Sequence, residues 1–269
     1  PEIASIEIPV SATVLNSPPK VLRVAIEETS VDPRSQFLVS VQVEDNNTVL
    51  DIREVRLELA STTDERSAFT VVWTEAGFDV PEGSGEISTY ACGIPGDLAA
   101  SNGTWTFATI LRGDSPAGSW LVRAVASDEE SSSASSTVIW VNTFVSVSIF
   151  EPARPNLTVG PGVESCNTAL RLTYTSNDDV DLLISSTTFV GVEHDSFRLE
   201  PSAFVAWVGA DEPTELSTIP RLIASALPRG RGTDVRLFLS VRIPQPFYDQ
   251  QYDGLITVAL RPSGTHLQA

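Results

Sequence analysis

The residue types able to do chemistry are sparse in this chain and poorly spaced for it. His194 stands in VGVEHDSF between Glu193 and Asp195, a grouping that could serve a metal or a catalytic dyad. A lone His between acids in a turn reads instead as a solvated residue. His266, the only other histidine, lies three residues from the end of the sequence. Cys92, in YACGIPGD, has no paired His to activate it as a nucleophile. There is no G-x-S-x-G elbow, H-E-x-x-H pair or phosphate-binding glycine loop. The 35 acids supply many carboxylate pairs. Glycoside hydrolysis, however, needs two carboxylates about 5–10 Å apart across a cleft usually lined by aromatics. Aromatics are 7% of this chain and sit mostly at strand-core spacing. No enzymatic activity is expected, and no catalytic, cofactor-binding or metal residue is assigned.

Three other groupings carry milder chemistry. Ser176-Asn177-Asp178-Asp179-Val180-Asp181, and Asp45-Asn46-Asn47 with Asp51, collect oxygens of the kind a hard cation such as Ca²⁺ takes. Neither follows EF-hand spacing, and acidic turns solvated by water are the alternative. Cys92 and Cys166, 74 residues apart without metal-site spacing, are a disulfide candidate in an exported chain, with two separate buried thiols as the other reading. Asn46, Asn102 and Asn156 open Asn-x-Ser/Thr sequons beside turn residues and are glycosylation candidates.

Composition narrows the partners. A net charge of −18 and a pI near 4.4 argue against nucleic acid, because phosphate binding needs clustered Lys and Arg. Lys20 is the only lysine beside sixteen arginines. Lys depletion with excess acid fits solvation in concentrated salt, and a GC-rich genome would give the same bias. Methionine is absent even at position 1, so a removed secretory signal and an extracellular or cell-surface location are expected. No apolar stretch reaches the 18 residues that would span a bilayer.

The elements that must carry any site are strands. Phe37, Val39, Val41 and Val43 alternate with Leu38, Ser40, Gln42 and Glu44, and Val55, Leu57 and Leu59 with Glu54, Arg56 and Glu58. Trp105 with Phe107, Trp120 with Val122 and Ala124, and Val235 through Ile243 continue the period of two. Turn residues separate these runs, and no window holds a 3.6-residue period over three turns. The pattern predicts an all-β chain of two antiparallel β-sandwich domains. FEPARPNL, residues 150–157, reads as the boundary, giving domains 18–150 and 151–269 behind an N-terminal arm, 1–17. The acidic run Asp128–Ser133 reads as a hairpin tip.

Asn16, Pro18 and Pro19, then Asp45, Asn47, Asp51, Ile52, Val55 and Leu57, then Gly118, Trp120, Val122, Ala124, Ala126 and Asp128 form a pattern. It resembles the immunoglobulin-like modules of prokaryotic cell-surface proteins. The ending VRLFLSVRIPQPFYDQQYDGLITVAL is similar to the last strands of surface β-sandwich domains in bacteria and archaea. Fold likeness of this kind carries little about function.

The arm is the most regular strand pattern in the chain. Ala4, Ile6, Ile8, Val10, Ala12 and Val14 fall on one face, and Ser5, Glu7, Pro9, Ser11 and Thr13 on the other. The Pro18-Pro19 break then reads as a hinge. This organisation resembles prokaryotic pili and archaeal thread-like filaments built by donor-strand complementation. That resemblance implies a homopolymer in which Ile6, Ile8, Val10, Ala12 and Val14 enter a neighbouring subunit. Pro9, without an N–H, sits awkwardly in a strand paired on both sides. A monomeric adhesin or surface-layer module binding glycan or another protein through its loops is the alternative, with the arm part of its own domain.

Overall fold

The computed structural model describes residues 11, 13–64, 66–80, 87–151, 156–160, 162–163, 168–245 and 247–264. Among them every regular element is a strand except two 3-10 turns, Val49–Asp51 and Pro201–Ala203. The chain is all-β, as the period of two requires.

The first unit contains β1 (Lys20–Ile26), β2 (Ser30–Val31), β3 (Gln36–Glu44), β4 (Glu54–Ser61), β5 (Ala68–Thr74), β6 (Gly77–Asp79), β7 (Ile87–Gly93), β8 (Asn102–Leu111), β9 (Gly118–Ser127) and β10 (Ser132–Val141). Their spatial orders are β1-β3-β8-β7 and β2-β10-β9-β4-β5-β6. Alternate residues enter one core: Phe37, Val39, Val41 and Val43 from β3 meet Val55, Leu57 and Leu59 from β4. Trp120 lies at its centre, with its indole N–H donating to the Pro116 carbonyl at 2.8 Å. Trp105 packs against Trp73 with ring centroids 5.3 Å apart. Asp128 to Ser131 turns β9 into β10.

The second unit contains β11 (Val145–Glu151), β12 (Thr168–Ser176), β13 (Val180–Ser186), β14 (Phe189–Gly191), β15 (Arg198–Leu199), β16 (Phe204–Val208), β17 (Thr214–Glu215), β18 (Arg221–Leu227), β19 (Gly230–Val241), β20 (Tyr252–Asp253) and β21 (Ile256–Pro262). A five-stranded sheet, β11-β12-β19-β16-β17, shares a core with a three-stranded sheet, β18-β13-β21. A small β15-β14-β20 sheet lies beside them.

The boundary differs from the one expected at residues 150–157. β11 pairs with β12 and belongs to the second unit, so the chain crosses between cores at residues 142–144. Asn177 fixes that crossing. Its side-chain oxygen accepts the Phe144 N–H at 2.6 Å, and its amide donates to the Asn142 carbonyl at 2.9 Å. Its main-chain N–H reaches the Phe144 carbonyl and its carbonyl takes the Ala117 N–H. Arg229 pairs with Asp64 across the same junction, and the Arg34 guanidinium lies 4.7 Å from the Phe144 ring centroid.

Candidate functional site

The arm's root is held on the first unit, so NSPP is an anchor and not the free hinge its prolines suggested. Asn47 reaches both sides of Asn16: its side-chain oxygen accepts the Ser17 N–H at 2.6 Å, and its amide donates to the Leu15 carbonyl at 3.2 Å. Asn16 donates to Asp128 at 3.0 Å, and Pro19 is buried. Immediately before this anchor Val14 and Leu15 are 84% and 82% exposed. Ile6, Ile8, Val10 and Ala12 lie outside the described residues.

The root sits at one pole of the first unit, where β3 ends at Glu44 opposite Asn102. The junction with the second unit lies at the opposite pole, past Gln36 and Ile110. Nine residues of β3, at 3.2–3.4 Å each, separate the poles by about 27 Å. Val14 is only two residues from its anchor, a reach of at most about 7 Å. Val14 itself therefore stays at the root pole, away from the second unit.

That second unit has an edge of unusual kind. Natural sheets blunt exposed edges with bulges, short strands or prolines. Among the described residues, β1, β7, β11 and β18 all carry register irregularities at their edges, and β2, β6, β15, β17 and β20 have two or three residues. Only β21 is both long and evenly paired, with seven consecutive partners on β13. The Ser263 N–H bonds the Asp179 carbonyl, and the Thr187 N–H bonds the Leu255 carbonyl. Hydrogen-bonded pairs alternate along an antiparallel ladder. Thr257, Ala259 and Arg261 therefore bond β13, while Ile256, Val258 and Leu260 direct their N–H and C=O groups outward. Their side chains face the core yet stay half-buried, unlike Leu182 and Ile184 on β13. Among the described residues no strand is hydrogen-bonded to that outer side.

The remaining expected residues are scattered. Asn46, Asn102 and Asn156 are all exposed. Cys92 carries a free, half-buried thiol that burial pushes up to about 12, and Cys166 lies outside the described residues. His194 is exposed and contacts Tyr248, Nε2 to hydroxyl at 3.1 Å. Tyr248 in turn stacks on Phe197 at 5.0 Å. The loop Ser176–Asp181, weighed as a cation site against an acidic turn solvated by water, makes protein contacts: Asn177 at the junction, and Asp181 with Ser263, Ala226 and Arg261. The importance of Asn177 was not visible in the sequence, where it was one of several turn residues.

Two carboxyls in these contacts are held below the usual range. The Ser263 hydroxyl leads for Asp181, followed by the Ala226 N–H and Arg261, and together they outweigh burial. The Arg66 N–H leads for Asp64, with Ser67 and Arg229 adding to it against burial. Their folded values lie below the unfolded value of about 3.9. The stability they add is thus present above about pH 4 and is lost as pH falls through the lowered values. The thermal midpoint should stay level from pH 7 to pH 5 and drop below about pH 4. A fall already between pH 7 and 5 would assign the dependence to other groups.

The fold and this edge define a two-sandwich all-β chain in which, among the described residues, β21 is the long edge strand of unbroken register, closed at its end by Pro262. No family model matches the sequence, and no curated protein matches it. Solved structures similar to it include a chaperone–tip adhesin complex of CFA/I fimbriae biogenesis, at 13% identity and TM-score 0.36, covering 92% of this chain and 82% of that one. A chaperone–tip adhesion subunit pre-assembly complex from the archaic chaperone-usher Csu pili of Acinetobacter baumannii matches at 9% identity and TM-score 0.33, covering 82% and 91%. A DUF4785 family protein from Legionella pneumophila matches at 7% and 0.29, covering 87% and 45%. Likeness this distant carries no argument about what the chain does.

Proposed function

We propose that this chain is the subunit of an extracellular filament in which residues 4–14 of one copy add as a strand to the free edge of β21 in the next. The carrying observation is that edge: long, evenly paired with β13, bonded to no other strand among the described residues, and backed by half-buried Ile256, Val258 and Leu260. Strand addition supplies main-chain bonds, and alternate side chains fill the apolar face. The arm's apolar residues recur every second position, as such a face demands.

Pro9 selects the orientation. Along a strand, residues whose side chains share a face also point their N–H groups to one side. In an antiparallel addition the inward residues Ile6, Ile8, Val10, Ala12 and Val14 aim their N–H groups at β21. The absent N–H of Pro9 then falls on the far side, where nothing is lost. A parallel addition would turn Pro9 toward β21.

The antiparallel arrangement also solves the packing of whole subunits. It brings Val14 beside Ile256, at the end of the second unit remote from the junction, because Pro262 pairs with Val180 next to Asn177. The donor's root pole then abuts the acceptor's far pole. Exposed Leu15 and Leu50 on the first meet exposed Leu255 and Ile219 on the second. This head-to-tail contact does not close on itself and gives a fibre.

Sedimentation and negative-stain imaging of the full chain against a chain lacking residues 1–15 test the reading. The full chain should form concentration-dependent filaments, and the shortened chain a monomer that binds a peptide of residues 4–14. Equal size at every concentration would overturn it. The exposed Phe197–Tyr248 stack beside His194 favours a second reading, a glycan-binding surface module, since flat rings suit sugar faces. Saturable glycan binding by a chain that never assembles would select that one.

A further inference from the structure

We propose a divalent-cation site, selective for Ca²⁺, at the arm's root, built from Asp45, Asn16 and Asp128. The decisive feature is Asp45. Its side chain is completely buried, Oδ1 accepts the Asn47 N–H at 2.8 Å, and Oδ2 is buried with no hydrogen-bond partner. An ionised carboxylate oxygen out of water and unpaired is strongly unfavourable unless a cation or proton meets it. A second orphan belongs to the same network: the side-chain oxygen of Asn16 is buried and unpartnered too. Asn47 links the two, holding Asp45 through its N–H and bracketing Asn16 through its amide.

Asp128 completes the set from the other sheet. One of its oxygens accepts from Asn16, and the other takes the Glu130 and Ser131 N–H groups at 2.7 and 2.6 Å. Glu130 stands nearby, 3.5 Å from the Asn16 amide. Among the described residues, neither Asp45 nor Asp128 forms an ion pair with Arg or Lys; Asp128 also accepts from the Ser131 hydroxyl on both oxygens, so Asp45 is the carboxylate whose charge an ion would balance. Among the described residues, no three His, Cys, Asp or Glu side chains converge there. The donors are instead two carboxylates and a carboxamide, all oxygens, on three separate loops. Main-chain carbonyls and water would fill the rest of a shell of six to eight ligands. Ca²⁺ tolerates such an irregular set, whereas Mg²⁺ demands a near-ideal octahedron. The ion would clamp the arm's root to the body and fix the direction in which the arm leaves. The site stands independently of filament formation.

The test uses the full chain, stripped with chelator, with CaCl₂ or MgCl₂ alone as the probe. Ca²⁺ should raise the thermal midpoint by several degrees, with an affinity of roughly 10⁻³–10⁻⁴ M, and Mg²⁺ should do so weakly. Asp45→Asn should abolish the response and, by removing a buried charge, leave the metal-free midpoint unchanged or higher. Asp128→Asn, at a half-exposed position, repeats the test should the first variant fold poorly. No Ca²⁺ response up to 10 mM in the parent, an equal response to Mg²⁺, or a full response retained in the folded variants would overturn the site.

Discussion

A Val258→Pro chain will fold as a monomer and fail to assemble. Val258 sits mid-way along β21 and directs its N–H away from β13, because Ser263 and Leu255 fix the hydrogen-bonded pairs at the odd-numbered positions. Proline at 258 therefore removes nothing from the intramolecular ladder. An edge strand whose N–H faces solvent is where a sheet tolerates proline. What it removes is a central donor for an added strand, and the ring also crowds the approaching backbone. Far-ultraviolet circular dichroism should be unchanged, the melting temperature should fall by only a few degrees, and sedimentation should show monomer at concentrations where the parent forms filaments. Ala259→Pro is the matched control. Its N–H bonds β13 opposite Leu183, so this variant should lose stability within the second unit itself. Assembly of Val258→Pro at the parental rate would exclude β21 as the acceptor.

The strands were legible because one face of each is buried. Val39, Val41 and Val43 are fully excluded from solvent while Gln42 between Val41 and Val43 is exposed, and that alternation is a property of the sequence. Edge position is not. Ile256, Val258 and Leu260 read as an ordinary core-facing strand, and only the pairing reveals that, among the described residues, β13 is bonded on one side and no strand is bonded on the other. Pro9 looked like an obstacle because its side of the strand was undetermined. Once β21 has an outward face, the same residue becomes an orientation marker. The domain boundary was misread for a related reason. FEPARPNL has linker composition, but Val145–Glu151 before it carries strand pairing into the second unit. The true crossing is brief and is specified by a side chain 33 residues downstream. The cation site shows the same limit. Asp45 and Asn47 were legible as an oxygen-rich turn, but the bonds of Asn47 to Leu15 and Ser17 and of Asn16 to Asp128, on which the proposed site rests, are tertiary contacts.

Asn177→Ala will uncouple the two sandwiches. In the parent, Asn177 is 1% exposed, and its side chain satisfies the Phe144 N–H and the Asn142 carbonyl at once. Alanine keeps the main-chain bonds to Phe144 and Ala117 but orphans both linker groups. Leaving a buried polar group unpaired costs about 1–3 kcal/mol. Asn142 and Phe144 are half-buried, so water recovers part of that, and a net loss of about 2 kcal/mol is expected. The loss falls on the junction and on neither core. Calorimetry should therefore resolve two transitions where the parent gives one, with the more stable sandwich melting near the parental temperature. Asn177→Asp should behave alike, because a carboxylate still accepts from Phe144 but faces the Asn142 carbonyl without a proton to donate. Surface pairs such as Arg229 with Asp64 cannot compensate, since exposed ion pairs contribute at most about 1 kcal/mol. If the subunits polymerise head to tail, each junction is a joint in the fibre, and filaments of the variant should bend more in micrographs while growing at the parental rate. One unchanged transition would show instead that Arg229, Asp64 and the Arg34–Phe144 contact hold the units together without Asn177.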